Sequence, residues 1–356
     1  MKKKILSVVM AGMMTFGIAF TTQTQAATRD EIAAIKISKS GKFNYWTKES
    51  EAKQKLVEYV KDVTNKSSKN FIPVEDRIAT FDMDGTFLCE TAPYYFDGML
   101  YIHRVLYDEN YKPSQEEKTF ASSLERFITS KNSSDKLGSS APHQAAVFEG
   151  MTYPEYTSYV ENFMKTPVKG LTNLKWGEAF YLPMVEVIKY LQRNDFKVYV
   201  VSGSERQLIR VLLGNAVEIP KNQIIGTDIK IYAKNQGETD GLNYDYRKDD
   251  YLARGEFVIK NLKMNKVSAI YREIGKQPVL AFGNSSGDLS MLNYTINGNK
   301  YKSVAFFVIC DDVERELGNL NRAEKDRELA EKNGWTSISM RNDWTTIYGD
   351  NVKKSK

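Results

Sequence analysis

"RIATFDMDGT", residues 77–86, is a short β-prone run that stops abruptly in acids and small polar residues. Ile78-Ala79-Thr80-Phe81 has the texture of a buried parallel strand, and Asp82 and Asp84 stand on alternate positions just beyond it. Three further stretches repeat the form. "FKVYVVSGS" (196–204), "PVLAFGNSSGD" (278–288) and "SVAFFVICDD" (303–312) each pass from an apolar run to small and polar residues. Helical patterns lie between them: "LPMVEVIKYLQRND" opens with Pro183 in its first turn, "ERQLIRVLLGN" stops near Gly214, and "NKVSAIYREIGK" precedes the run at 278. Strands alternating with helices predict an α/β fold with a parallel sheet. Ligands bind such sheets outside the carboxyl ends of the strands, so the tips at 82–86, 202–204 and 283–288 are expected to face one crevice.

Working outward, two stretches break the alternation. Residues 91–180 are rich in Tyr, Phe and Met and helix-like, and read as an inserted α-helical cap. Residues 224–250 read as a hairpin, with turn signals at Asn235-Gln236-Gly237 and Asp240-Gly241. Ahead of the first strand, 27–75 reads as a helical arm, with helical apolar spacing in "KQKLVEYVKDV". The tail carries a charged helix, "RAEKDRELAEKNG", then "WTSISM" as a candidate edge strand, with no chemistry legible in either. The core is therefore expected over 76–90 and 181–356.

Lys2-Lys3-Lys4, an apolar run from Ile5 to Phe20 and a small-residue site before Ala27 read as a signal peptide over 1–26. The competing reading, an uncleaved anchor, is opposed by the run's length, below the ~20 residues a span needs. An exported protein with no stable membrane span after cleavage is expected: secreted, cell-surface or periplasmic. Loss of the three lysines brings the formal net charge of +5 close to balance, and no clustered basic face suggests nucleic acid. Cys89 and Cys310 are too few for a disulfide scaffold; both are read as small buried apolar residues, with one structural bridge between them as the alternative. His103 and His143 lack metal-ligand spacing. Oligomeric state is not legible.

Asp82 and Asp84 together suit one hard cation, since Mg²⁺ takes oxygen ligands and keeps several waters. One carboxylate can attack phosphorus, and the other can protonate the leaving alkoxide and later deprotonate water. Taken alone, such a pair is more often a loop or helix cap. Ser202 and its neighbouring N–H groups, Gly203 included, suit phosphoryl oxygens at a helix start, though an N-cap serine fits equally. Asp288 reads as a cation holder or a helix cap. Lys266 can neutralise charge near a phosphoryl group. Four such features in this order on four α/β units decide for a site.

"FDMDGT", "VVSGS", "NKVSAI" and "FGNSSGDLSML" resemble, in order, the four motifs of the haloacid dehalogenase-like hydrolase superfamily, most of all its phosphoserine phosphatase-like and phosphorylcholine phosphatase-like members. The resemblance covers roughly 75–312 and implies a Rossmann-like sheet with a helical cap after the first motif. It further implies that Asp82 is a nucleophile and Mg²⁺ ligand. Asp84 would be general acid and base, with its carbonyl on the metal. Ser202 would bind phosphate, Lys266 orient the nucleophile, and Asp288 complete the metal site. One position departs: the fourth motif usually reads G-D-x-x-x-D, and Asn284 stands at the first acid, leaving open whether Asn284 or Asp288 ligates directly. Lys260 and Lys263 lie close enough to Lys266 to compete for the third motif; Lys266 is preferred because "NKVSAI" begins a helix.

The implied activity is a Mg²⁺-dependent phosphomonoesterase on a small phosphate ester. Glu90 lies one residue short of where phosphoserine phosphatases carry an acid that contacts the substrate amine. "APYYFD" (92–97) and "MTYPEYTSYV" (151–160) are aromatic enough to cage a quaternary ammonium, which makes phosphocholine a second candidate; the plainer reading is that they form the cap's core. The alternative function is a secreted phospho-ligand binding or surface protein that keeps the fold without turnover.

Overall fold

The computed structural model describes residues 26–90, 95–129 and 137–355. The expected signal peptide lies outside these residues except for Ala26, as do residues 92–94 of the first aromatic stretch.

Seven strands form one sheet: β1 Ile78–Phe81, β2 Lys197–Glu205, β3 Ile224–Ala233, β4 Leu252–Ile259, β5 Leu280–Gly283, β6 Val304–Ile309 and β7 Thr336–Ser339. Their order is β4-β3-β2-β1-β5-β6-β7, and every pair is parallel except β3 with β4. The chain therefore steps outward from β1 on one side and returns to its other side at β5. That reversal opens a crevice between the carboxyl ends of β1 and β5. All four residues of β1 are buried, and Phe81, Phe282 and Phe306 stack across β1, β5 and β6 at centroid spacings of 4.2 and 5.1 Å. The "WTSISM" stretch supplies β7, an edge strand, as expected.

Two N-terminal helices, α1 (Arg29–Ala34) and α2 (Glu51–Thr64), lie against this base. The Tyr59 hydroxyl donates to the carbonyls of Val279 and Lys302 at 2.9 and 3.0 Å, and the buried Glu186 accepts from the N–H groups of Asn44 and Tyr45. The described part of 91–180 is helical, with α3 (Phe96–Ile102), a π-helical turn His103–Tyr107, α4 (Gln115–Thr129), α5 (Ala141–Ala146) and α6 (Tyr153–Phe163). Helices α7 (Leu182–Arg193), α8 (Arg206–Leu213), α9 (Met264–Glu273), α10 (Leu289–Ile296), α11 (Leu320–Lys332) and α12 (Met340–Asp343) complete the chain. Pro183 sits in the first turn of α7 and Gly214 caps α8, as the sequence predicts.

The hairpin expected over 224–250 needs correction. Residues 224–233 form a strand of the main sheet, parallel to β2, and their antiparallel partner is β4, beyond residue 250. The turn signals fall inside the long connection, where Gly241–Asn243 makes one 3₁₀ turn. Apolar alternation marks a strand but not which neighbour it pairs with.

Candidate active site

A cleft of about 550 Å³ lies at the carboxyl ends of β1, β2 and β5, lined among others by Asp82, Asp84, Glu90, Gly203, Asn284 and Asp288. A second cleft of about 560 Å³, lined by residues of α6 and α8 with Arg29, holds none of the motif residues.

The loop after β1 is tightly wound. The N–H groups of Thr86, Phe87 and Leu88 all donate to the Met83 carbonyl, and Gly85 N–H donates to Leu88 O at 2.7 Å. Gly85 has φ +77°, and a Cβ there would lie 2.0 Å from Asn284 Nδ2 and 2.6 Å from Glu90 Oε2. Only glycine allows both the left-handed turn and the close approach of the fourth motif.

Lys266, fully buried in α9, donates to Asp82 Oδ1 at 2.6 Å and to Asp288 Oδ1 at 2.7 Å. Burial would lower its pKa, but Asp288 and then Asp82 outweigh that and hold it above the usual lysine value. One ammonium thus faces two buried carboxylates. Burial first and Asp288 second push Asp82 upward, against the pull of Lys266. Lys260 and Lys263 instead line the cleft wall, so the geometry selects Lys266 for the position between the acids.

Asp84 accepts from the Ser204 hydroxyl at 2.7 Å through Oδ2, while its buried Oδ1 has no partner. Burial foremost, then Asp97 and Asp82, raise it well above the usual carboxylate range. Asp288 is saturated: Oδ2 accepts from the N–H groups of Asn284 and Ser285, each at 3.0 Å, and Oδ1 from Lys266. It occupies the N-cap position of α10 without capping it, so its task is to bind its own loop and Lys266.

Ser202 is fully buried and accepts from Ser204 N–H at 3.1 Å. The expectation that it opens a helix is corrected, because β2 runs on to Glu205. Glu205 caps α8 by accepting from the N–H groups of Gln207 and Leu208. The helix N-terminus is thereby filled by the chain's own carboxylate. Gly203 and Ser204 line the cleft.

Glu90 is buried with both oxygens engaged: Oε2 accepts from Asn284 Nδ2 at 2.9 Å, and Oε1 from Tyr95 at 2.9 Å and both Arg322 Nη atoms at 3.2 Å. Burial raises its pKa, with Arg322 the largest opposing influence. Arg322 comes from α11, the charged tail helix in which no chemistry was legible. Ser204 is the other residue the sequence reading passes over; the polar end of "VVSGS" is its only local signal.

The residues present fit a divalent cation. Asp82 and Asp288 share one buried ammonium, and Asp84, which also lines the cleft, has a buried oxygen without a partner. Among the described residues no three His, Cys, Asp or Glu side chains gather as a ready-made shell. A cation would draw instead on Asp82, the Asp84 main chain and Asn284, with waters completing it.

His143 pairs with Glu117 and stacks on Phe120, and His103 contacts Tyr159, all within the cap. Cys89 and Cys310 form no disulfide. Of the two aromatic stretches, Tyr95 alone among the described aromatic residues lines the cleft. Tyr156 lies instead 3.7 Å from the guanidinium of Arg254, and Tyr159 is 5.0 Å from that of Arg104.

A parallel sheet with paired acids beyond its central strand, a buried lysine bridging to a fourth-motif acid and a helical cap defines a class of hydrolase. The haloacid dehalogenase-like hydrolase family matches residues 79–293, more than half the chain, and the protein belongs to that family. A conserved functionally unknown protein from Anaerococcus prevotii is similar in fold at 12% identity and TM-score 0.52, over 90% of this chain and 99% of that one. Cytosolic 5'-nucleotidase IIIB bound to cytidine aligns at 12% identity over 82% and 85% of the two chains, TM-score 0.47. A probable phosphoserine phosphatase from Vibrio cholerae aligns at 10% identity over 76% and 62%, TM-score 0.38. No curated protein matches the chain by sequence.

Proposed function

We propose that the protein is a Mg²⁺-dependent phosphomonoesterase that acts on a small polar phosphate ester through an aspartyl-phosphate at Asp82. The observation that carries this reading is Lys266 held between Asp82 and Asp288, with Asp84, one of its oxygens unpartnered, lining the same cleft as Asp82 and Asp288. A carboxylate of Asp82 attacks phosphorus, and the bond from phosphorus to the ester oxygen breaks as Asp84 donates a proton to that oxygen. Water then attacks the phosphoaspartate, gives its proton to Asp84 and frees inorganic phosphate. Lys266 keeps Asp82 aimed, and Ser204 fixes the rotamer of Asp84. Mg²⁺ bound at Asp82, the Asp84 main chain and Asn284 would supply positive charge for the phosphoryl oxygens.

The cleft carries both acids (Asp97, Asp326) and bases (Lys260, Lys263, Arg322), which favours a zwitterionic ester of the phosphoserine kind. Phosphocholine gains less support, since the 151–160 rings enclose the protein's own arginines. Export is proposed on the leader-like run alone.

The test is phosphate release from p-nitrophenyl phosphate, phosphoserine and phosphocholine with Mg²⁺ or EDTA, beside Asp82→Asn. The expected result is metal-dependent release lost in the variant. Release by folded Asp82→Asn overturns the mechanism, and binding of esters without release by the wild type would favour the non-catalytic reading.

A further inference from the structure

Asn284 stands where the resemblance leads to an acid, and its surroundings say why an amide serves there. Its backbone N–H is fixed by Asp288 at 3.0 Å. Its side chain bridges two groups: Oδ1 lies 3.4 Å from the Thr86 hydroxyl, and Nδ2 donates to Glu90 Oε2 at 2.9 Å. Both Asn284 and Glu90 are at most 4% exposed. An ionised carboxylate only accepts hydrogen bonds, so Glu90 dictates that the NH₂ group faces it and the amide oxygen faces the loop that carries Asp82 and Asp84. Aspartate at 284 would instead set two buried carboxylates against each other, with Arg322 engaged on the far oxygen of Glu90.

We propose that Glu90 is a positioning residue of the cation site: it orients the Asn284 amide so that its oxygen serves a divalent cation, and Arg322 of α11 holds Glu90 in place. Relative to the usual motif an amide replaces the acid at 284, and the negative charge stands behind it on Glu90. Neither Glu90 nor Arg322 touches the cation, and with both of its oxygens taken Glu90 is not a receptor for a substrate amine. The inference rests on the cation-dependent reading of the site.

The test is Mg²⁺ titration by calorimetry on the folded chain from residue 27, which reads binding without turnover. Glu90→Gln is expected to weaken Mg²⁺ about 10- to 100-fold, the usual effect of losing a group that orients a metal ligand. Asn284→Ala should weaken it at least as much, and the double variant Glu90→Gln/Asn284→Ala no further, because Glu90 acts through Asn284. The exchange Glu90→Gln/Asn284→Asp should recover binding to within a few-fold of wild type. Arg322→Met, at the half-exposed rim, gives a several-fold loss and carries the test if Glu90→Gln does not fold. Unchanged affinity in Glu90→Gln, or in Arg322→Met where that variant stands in, overturns the inference, as do additive losses in the double variant. Mg²⁺ binding that follows this pattern without phosphate release sinks the phosphatase reading and leaves the inference standing, whereas a wild type that binds no Mg²⁺ sinks both.

Discussion

The Ser204 hydroxyl lies 2.7 Å from Asp84 Oδ2, joining the end of β2 to the loop after β1 and leaving only Oδ1 of that acid without a partner. A buried carboxyl held at one oxygen has one orientation in which the other can exchange a proton with a leaving group. Ser204→Ala should therefore lower kcat about ten- to a hundredfold, a part of the 10²–10⁴ that a positioned acid supplies. KM for the best ester should change little. Steady-state kinetics on protein with unaltered circular dichroism checks this; an unchanged kcat would mean that packing alone orients Asp84.

Lys266 is a stability residue as well as a site residue. Lys266→Met leaves Asp82 and Asp288 buried without their shared ammonium. Removing one partner of a buried ion pair costs about 3–5 kcal/mol. Urea unfolding in EDTA should show a loss of that order, together with loss of turnover. A variant as stable as wild type would place the pair's charge compensation elsewhere.

Arg254 ties the cap to the β3–β4 pair. It is 2% exposed, pairs with Glu205 at 2.8 Å and lies over Tyr156, while its main chain exchanges hydrogen bonds with Gly150 and Met151. Glu205 keeps its two helix-capping amides when the arginine is lost, so Arg254→Ala should cost about 2–3 kcal/mol, less than a fully stranded ion. Arg254→Lys should recover little, because an ammonium cannot lie flat on Tyr156 while pairing with Glu205. Thermal melts of the three proteins check the order; a lysine variant equal to wild type would reduce the role of Arg254 to charge.

How much of this was legible in the sequence follows from the range of each interaction. Strands β1, β2, β5 and β6 and helices α7 to α9 are marked by local periodicity, and Asp82, Asp84 and Lys266 stand in ordered motifs attached to them. Glu205 was hidden because a carboxylate cap and a strand end look alike in one dimension. Arg322 was hidden for a different reason: its helix has the charge pattern of a solvated face, and its contact with Glu90 spans 232 positions. Aromatic density in 151–160 marked a packed cap correctly, but only the fold reveals that the cations enclosed are the chain's own.

The last prediction concerns pH. Glu316 is fully buried, accepts from the Tyr348 hydroxyl and from Leu317 N–H, and is raised to about 7, by burial first and by Glu90 in addition. Tyr181, Tyr348, Cys310 and Glu90 are the titratable groups around it. With the folded value above the unfolded one, near 4.5, the folded state holds a proton that the unfolded state has released throughout the interval between them. Stability contributed by this group is therefore complete below about pH 4 and declines until about pH 7, by roughly 1.4 kcal/mol for each pH unit inside the window. The total is on the order of 3 kcal/mol. Glu316→Gln stays neutral at every pH, so its stability relative to wild type should climb from pH 4.5 to pH 7.5 and level off above. Urea unfolding of both proteins at pH 4.5, 6 and 7.5 measures the difference directly, and groups common to both cancel. A difference that stays flat with pH would mean that Glu316 ionises in the folded state as easily as in water, with its hydrogen bonds offsetting the burial.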